Sequence, residues 1–353
     1  MSLALGSHPK LTRRIKLFST VAILYLSGFL ICYNFLMSQI NYKNKPRLSE
    51  HEIDKISNDR RIALVPLLES FLSSDEMFVG KGISVEYSYQ GVSALVAFIE
   101  AGIDKYVLKI LLNPTAEGEA LFLKKWEEVG VTVPHVYKEG KLGDHHYILM
   151  SFVEAPMLSE AIENGLVKSD IWVDLGKILR NMHEPSAEGY GRLVDGKAEY
   201  TTFKDWITNE KVQEKIKYVE EAGLLDTKLW PISNVIDTLV AYDERNPKSS
   251  YCHMDFCADD IMASDPLTII DPEPMFNNGI IDIGRSLQLM SAQGNYDHVE
   301  KLKEGYFSNN ASYDKSALRA AIILSAYRKF PYWHKTGRDK EMAMVRKYLI
   351  ETC

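Results

Sequence analysis

The chain opens on an uncharged apolar run, LFSTVAILYLSGFLICYNFLM (residues 17–37), with Lys10, Arg13, Arg14 and Lys16 before it. A run of that length is enough to cross the roughly 30 Å hydrocarbon core of a bilayer. It predicts an anchor within residues 1–45, with a buried or interfacial helix and a cleaved signal peptide as alternatives. A signal peptide would have a shorter apolar core and a small-x-small cleavage site. Lys43, Lys45 and Arg47 follow the run, so basic residues flank both ends and charge alone does not orient it. Beyond it, LSEHEIDKISNDRRIALVPLLESFL (48–72) repeats apolar positions at helical intervals.

The period then changes. ISVEYSYQGVSALVAFIEAGIDKYVLKILL (83–112) alternates apolar and polar, with turn signals at Gln90-Gly91 and across Ala101–Asp104, predicting three successive strands. NPTAEGEALFLKKWEEVG (113–130) reads as a helix with Asn113 as N-cap, Pro114 in the first position and Gly130 at the stop. After YILMSFVEA, helical spacing dominates in segments 169–183, 233–245, 297–307, 315–330 and 339–351. The expected organisation is α+β: an anchor over 1–45, a sheet-bearing lobe with one main helix over 46–152, and a larger helical lobe over 153–353.

Composition narrows the function. With 353 residues, 46% of them hydrophobic, the chain can bury one large core or two. A net charge of −7 and the lack of a dense basic run argue against a nucleic-acid partner. Four cysteines, Cys32, Cys252, Cys257 and Cys353, lack the spacing of a disulfide framework or a zinc site, which favours a reducing, cytoplasmic setting for the body.

The densest chemistry lies in YCHMDFCADDIMASDPLTIIDPEP (251–274). The apolar runs IMAS and LTII flank Asp265-Pro266, which predicts a hairpin. A tip at those two residues would set Ile261 opposite Ile270 and Asp260 opposite Asp271. Facing carboxylates repel unless something neutralises them, and Mg²⁺ is commonly held by one or two carboxylates together with substrate phosphates. Asp255, on the entering loop, suits a base that accepts a hydroxyl proton. Any one of these acids taken alone is an ordinary solvated residue; the ordered set carries the signal. Upstream, Lys109 is the only charge on the apolar strand YVLKILL, and Glu119, with Glu117 as rival, lies on the helix after it. Taken alone, Lys109 also reads as a snorkelling edge lysine and Glu119 as a surface acid. Gln90-Gly91-Val92-Ser93 is a glycine-bearing turn able to offer backbone N–H groups to phosphate.

These segments, with YQGVS, YILMSFVEA, LGKILRNMH and LTIIDPEPMFNNGIIDIG, resemble the aminoglycoside phosphotransferase and choline kinase-like enzymes, relatives of protein kinases, over about residues 75–290. GYGRLVDGKAEYTTFKDWI (189–207) is similar to the matching stretch of hygromycin-type phosphotransferases. The resemblance implies a protein-kinase-like two-lobe fold, ATP and Mg²⁺, and a small-molecule hydroxyl acceptor. It implies Asp255 as catalytic base and Asp260 and Asp271 as metal ligands. Gly91, Ser93, Lys109 and Glu119 would serve the nucleotide phosphates, and Ser151, Phe152 and Val153 would form the adenine hinge. Asp282 would support the catalytic loop and His253 would be structural. Asp260 stands where the family places asparagine, and Met254 where it usually places glycine. The alternatives are a catalytically weak nucleotide-binding relative and a membrane-tethered interaction protein. Glu273, Glu210 and Asp243 are candidate acceptor-site acids, which would favour a polycationic acceptor such as an aminoglycoside, and the resemblance also implies amino alcohols, choline, fructosamine-type amines and sugars as alternatives. The sequence leaves the oligomeric state open.

Overall fold

The computed structural model describes residues 40–46, 55–89, 93–167, 170–308 and 313–351. The apolar run over 17–37 and the turn residues Gln90, Gly91 and Val92 lie outside the described residues. Among the described residues no helix is long and apolar enough to cross a membrane. The chain divides into two compact units, residues 1–113 with 141–147, and residues 114–140 with 148–353.

In the first unit the alternating segment forms the strands its pattern predicts. β1 (Ile40–Tyr42) runs parallel to β2 (Ile83–Tyr87). β2 pairs antiparallel with β3 (Ala94–Ala101), and β3 with β4 (Asp104–Leu111). Ala101 faces Asp104 across a two-residue turn whose Gly102 has φ 69°, a conformation that costs glycine least. β5 (Val136–Leu142) and β6 (His145–Ser151) extend the order to β1-β2-β3-β4-β6-β5, their residues 141–147 belonging to this unit. Helix α1 (Lys55–Ser74) sends the fully buried Arg61 to the carbonyls of Ser88 (2.5 Å) and Ala94 (2.8 Å), bracketing the glycine-bearing turn.

The second unit holds the remaining helices. Its first, α2 (Glu119–Glu128), starts later than the Asn113–Pro114 cap predicts. Gly118 has φ 100° and its open side faces the Leu193 Cβ, while the Glu117 carboxylate accepts from the Gly196 N–H at 3.0 Å. The segment before the helix is thus docked on the 193–196 turn instead of wound. The stop is as expected, with Gly130 at φ 81° beyond the C-cap. There follow α3 (Leu158–Glu163), α4 (Ile171–Met182), α5 (Phe203–Ile207), α6 (Glu210–Glu221) and α7 (Ile232–Arg245). After them come α8 (Gly279–Ala292), α9 (Tyr296–Phe307), α10 (Lys315–Lys335) and α11 (Asp339–Glu351). α8 is buried along almost its whole length and is the core of the unit.

Two small sheets escape the helical pattern. β7 (Ser186–Ala187), β8 (Tyr190–Val194), β9 (Lys197–Tyr200), β10 (Ser249–Cys252) and β13 (Met275–Asn277) form one in the order β7-β10-β13-β8-β9. β11 (Ile261–Met262) and β12 (Thr268–Ile269) form the other. Strands this short carry too few positions to establish a period of two.

Candidate active site

The central loop leaves β10 at Cys252 and is suspended from the first turn of α8. The fully buried Asp282 accepts from the His253 N–H (2.6 Å) and the Met254 N–H (2.8 Å), and its Oδ2 lies 2.9 Å from His183 Nε2. Desolvation would raise the Asp282 carboxyl, but the His183 hydrogen bond and the His183, His253 and Met254 dipoles and charges outweigh it and hold the group below its ordinary value. Met254 has φ 63°, a conformation costing a non-glycine residue roughly 1–2 kcal/mol. Its N–H is fixed by Asp282 and its carbonyl by Arg285 Nε (3.1 Å), which together impose that conformation.

His253 is fully buried. Its ring stacks on Trp126 (5.7 Å, 10°), its Nε2 lies 2.9 Å from the Ile270 carbonyl, and its Nδ1 accepts from the Asp255 N–H at 3.3 Å. Burial pushes its pKa down, as expected of a hydrogen-bonded core histidine. Among the described residues, His183, Cys252 and Asp282 lie close enough to share a metal. Cys252 instead donates to the Asn277 carbonyl (3.3 Å), burial pushes its thiol well up, and His183 bridges Asp282 and the Tyr306 hydroxyl (2.8 Å). This is a satisfied core cluster.

Asp255 follows, partly exposed, with Oδ1 3.4 Å from Arg285 Nη2. Arg285 is itself buried and escapes the sequence reading. The available signal was a lone basic residue in the apolar run GIIDIGRSLQLM, one helical turn after Asp282.

Asp260 is nearly buried and accepts from the Cys257 thiol at 2.9 Å. Desolvation first, then the charges of Asp255, Asp271 and Asp259, push its carboxyl up to about 8 against the lowering effect of that thiol. The hairpin register differs from the expected one. Ile261 pairs with Ile269 and Met262 with Thr268, and the Ile270 N–H donates to the Asp260 carbonyl at 2.9 Å. Asp260 therefore faces Ile270, not Asp271. The loop is odd-numbered because Ser264 Oγ closes it, donating to the Pro266 carbonyl (2.7 Å) and meeting Thr268 Oγ1 at 2.8 Å. Asp271 lies one residue further on, exposed, at φ 52°.

The other candidates fall in both units. Lys109 is buried on β4 opposite Val96, in the first unit, where Ser93 accepts the Leu112 N–H at 2.9 Å. Glu119 is buried at the start of α2, in the second. Ser151 ends β6 before Phe152 and Val153; its N–H donates to the His135 carbonyl and its hydroxyl accepts from the His135 N–H, both at 2.9 Å. Of the acids expected around an acceptor, Glu210 is exposed and Asp243 is taken by the Tyr190 hydroxyl (3.0 Å) and Asn278 (3.3 Å). Glu273 is paired with Arg192 at 2.7 Å.

A strand-rich first unit followed by a helical one, with a carboxylate-bearing loop hung from a buried aspartate, defines a kinase-like small-molecule phosphotransferase. Residues 89–288 match the phosphotransferase enzyme family, and the chain belongs to it. Among solved structures, an aminoglycoside phosphotransferase, APH(4)-Ia, in ternary complex with AMP-PNP and hygromycin B is 16% identical with a TM-score of 0.56, over 80% of this chain and 96% of that one. A putative fructosamine-3-kinase from Haemophilus somnus 129PT is 15% identical with a TM-score of 0.55, over 80% and 95%. A choline/ethanolamine kinase family protein from Mesorhizobium loti is 16% identical with a TM-score of 0.53, over 80% and 99%. At these identities the likeness is one of fold. No curated protein matches the sequence.

Proposed function

We propose that the chain transfers the γ-phosphoryl group of ATP to a hydroxyl of a small molecule, with Asp255 as the base. The observation that carries this is the Asp282 carboxylate holding the His253 and Met254 N–H groups, which fixes the loop and presents the Asp255 side chain beside Arg285. Asp255 would take the acceptor's hydroxyl proton as the new O–P bond forms and the bond from γ-phosphorus to the bridging oxygen breaks, leaving ADP and a phosphomonoester. Arg285 holds the carboxylate in place. Lys109 and Glu119, with Gly91 and Ser93, are the proposed phosphate-side residues, and Ser151 to Val153 the adenine hinge.

The donor set suits Mg²⁺: Asp260 and Asp271 are hard oxygen ligands, and burial first, then the charges of Asp255, Asp271 and Asp259, raise the Asp260 carboxyl, a strain that a cation would relieve. Bound there, Mg²⁺ would neutralise phosphate charge. A second reading, a catalytically weak nucleotide-binding relative, is favoured by Asp260 in the place of the family's asparagine.

The test measures ADP release with hydroxylated acceptors alongside Mg-AMP-PNP binding. Asp255→Asn should lower transfer by at least about 10²-fold while the nucleotide still binds. Asp271→Asn should abolish both, and Asp260→Asn should preserve or raise turnover. Loss of activity in Asp260→Asn with Asp271→Asn tolerated would overturn the metal assignments.

A further inference from the structure

Beside the Asp255 loop, wholly within the second unit, lies a pocket of about 750 Å³. That is room for a ligand of one or two sugar rings, within the usual roughly 300–1,000 Å³ of small-molecule sites. Glu273 joins the pocket to the loop: it lines the wall, and its N–H donates to the His253 carbonyl at 2.9 Å.

The lining inverts the charge of the chain. Arg192, Lys211, Lys215, Arg328 and Lys335 face the pocket, against Glu199, Glu214 and Glu273, in a protein whose net charge is −7. Two of the acids are already used. Glu273 is held by Arg192 at 2.7 Å, and Glu199 accepts from Lys211 (3.4 Å) and from the Arg192 N–H (3.0 Å). Lys215, Arg328 and Lys335 have no carboxylate within ion-pair distance among the described residues. Desolvation within the concavity, then the nearby Arg328, Arg285 and Arg192, push Lys215 down to about 8 despite Glu273. Desolvation likewise pushes Arg328 down to about 10. Crowded cations of this kind are relieved by a bound anion.

The aromatic wall points the same way. Trp206, Tyr218 and Tyr332 could in principle cage a cationic amine. Each already faces a cation of the chain: Arg328 lies 5.3 Å over Trp206, Lys335 5.0 Å over Tyr218, and Lys329 5.5 Å over Tyr332. An ammonium ligand would meet rings in use and three cations without a carboxylate partner among the described residues, two of which, Arg328 and Lys335, lie over those rings.

We infer that the acceptor is a small polyhydroxylated compound carrying an anionic group, phosphate or carboxylate, bound by Lys215, Arg328 and Lys335 while one of its hydroxyls is offered to Asp255. This rests on the phosphotransferase reading above, and the two are separated by measuring binding and turnover independently. The probes are a series matched in size and differing in charge: glucose, glucosamine, glucose 6-phosphate and glucuronate. Binding is read by titration calorimetry without nucleotide, and transfer by ADP release with Mg-ATP.

The anionic members are expected to bind at one site and glucosamine not to. Lys215→Gln should weaken the anions by roughly tenfold to a hundredfold, as loss of one charge-assisted contact does. Because Arg328→Gln removes a packed side chain, Lys335→Gln serves as the second variant, with folding checked by circular dichroism. Phosphate and carboxylate sources are told apart by which of the two anions is transferred to. Anion binding that disappears in the variants, with no ADP release, would uphold the pocket and sink the phosphotransferase reading. Preferential binding or turnover of glucosamine, or anion affinity unchanged in both Lys215→Gln and Lys335→Gln, would overturn the inference and leave that reading intact.

Discussion

Asp282 does the work of three residues at once, orienting His183 and holding two consecutive backbone N–H groups. Asp282→Asn keeps one acceptor oxygen but turns an NH₂ toward a buried donor. It should cost about 1–3 kcal/mol, the price of one unsatisfied buried group, read as a lower denaturant midpoint at unchanged slope. The same residue sets a pH dependence. Its folded pKa lies below the unfolded one, so its contribution is complete above about 4, the unfolded value, and is lost as pH falls through the lower folded value. The midpoint should therefore drop on acidification in the native protein and drop less in Asp282→Asn; equal slopes against pH would remove Asp282 from this role.

Among elements, α4 and α9 approach each other at backbone contact. A Cβ on Gly176 would overlap the Leu302 carbonyl, and one on Gly305 the Val173 carbonyl. Backbones this near leave no room for any side chain, and rigid helices answer added volume by separating. Gly305→Ala should destabilise by at least about 1–3 kcal/mol, the usual cost of overpacking, and lower the melting temperature; a neutral result would show that the helices can slide apart freely. The crossing bears on the site because α4 leads into His183, whose ring is gripped between Tyr306 of α9 and Asp282 of α8. At the hairpin the sequence predicts the element but not its register. The alternation marks two strands, but the hydroxyl of Ser264 closes the loop and sets the pairing one residue away from a tip centred on Asp265-Pro266.

For the whole molecule, the point at which the chain can be shortened follows from the 40–46 segment. Asn44 exchanges side-chain bonds with the Tyr87 backbone (2.7 and 2.8 Å), and Tyr42 stacks on Tyr87 at 5.9 Å and donates to Glu69 at 2.8 Å. Deleting residues 1–45 should therefore be less stable than deleting 1–38 by roughly 2–4 kcal/mol, at about 1 kcal/mol for each contact, and should expose the β2 edge to aggregation. Equal denaturation midpoints for the two truncations would show that β1 adds nothing. The sequence by itself determined the order of a strand-bearing and a helical unit, because periods of 2 and 3.6 are local properties of the chain. It also singled out Asp255, Asp260 and Asp271 by their spacing and Lys109 as a lone charge on an apolar strand, while Asp282 stood out only through the resemblance to the family. Tertiary structure alone decided the late start of α2, which depends on Glu117 meeting a turn nearly eighty residues away. It alone decided the sign of the pocket. Arg192, Lys215 and Arg328 come from β8, α6 and α10, separate elements of a chain that is acidic overall. No linear pattern reports which charges will face one cavity, since that is fixed by how helices and strands cross and by which acids are already consumed in pairs.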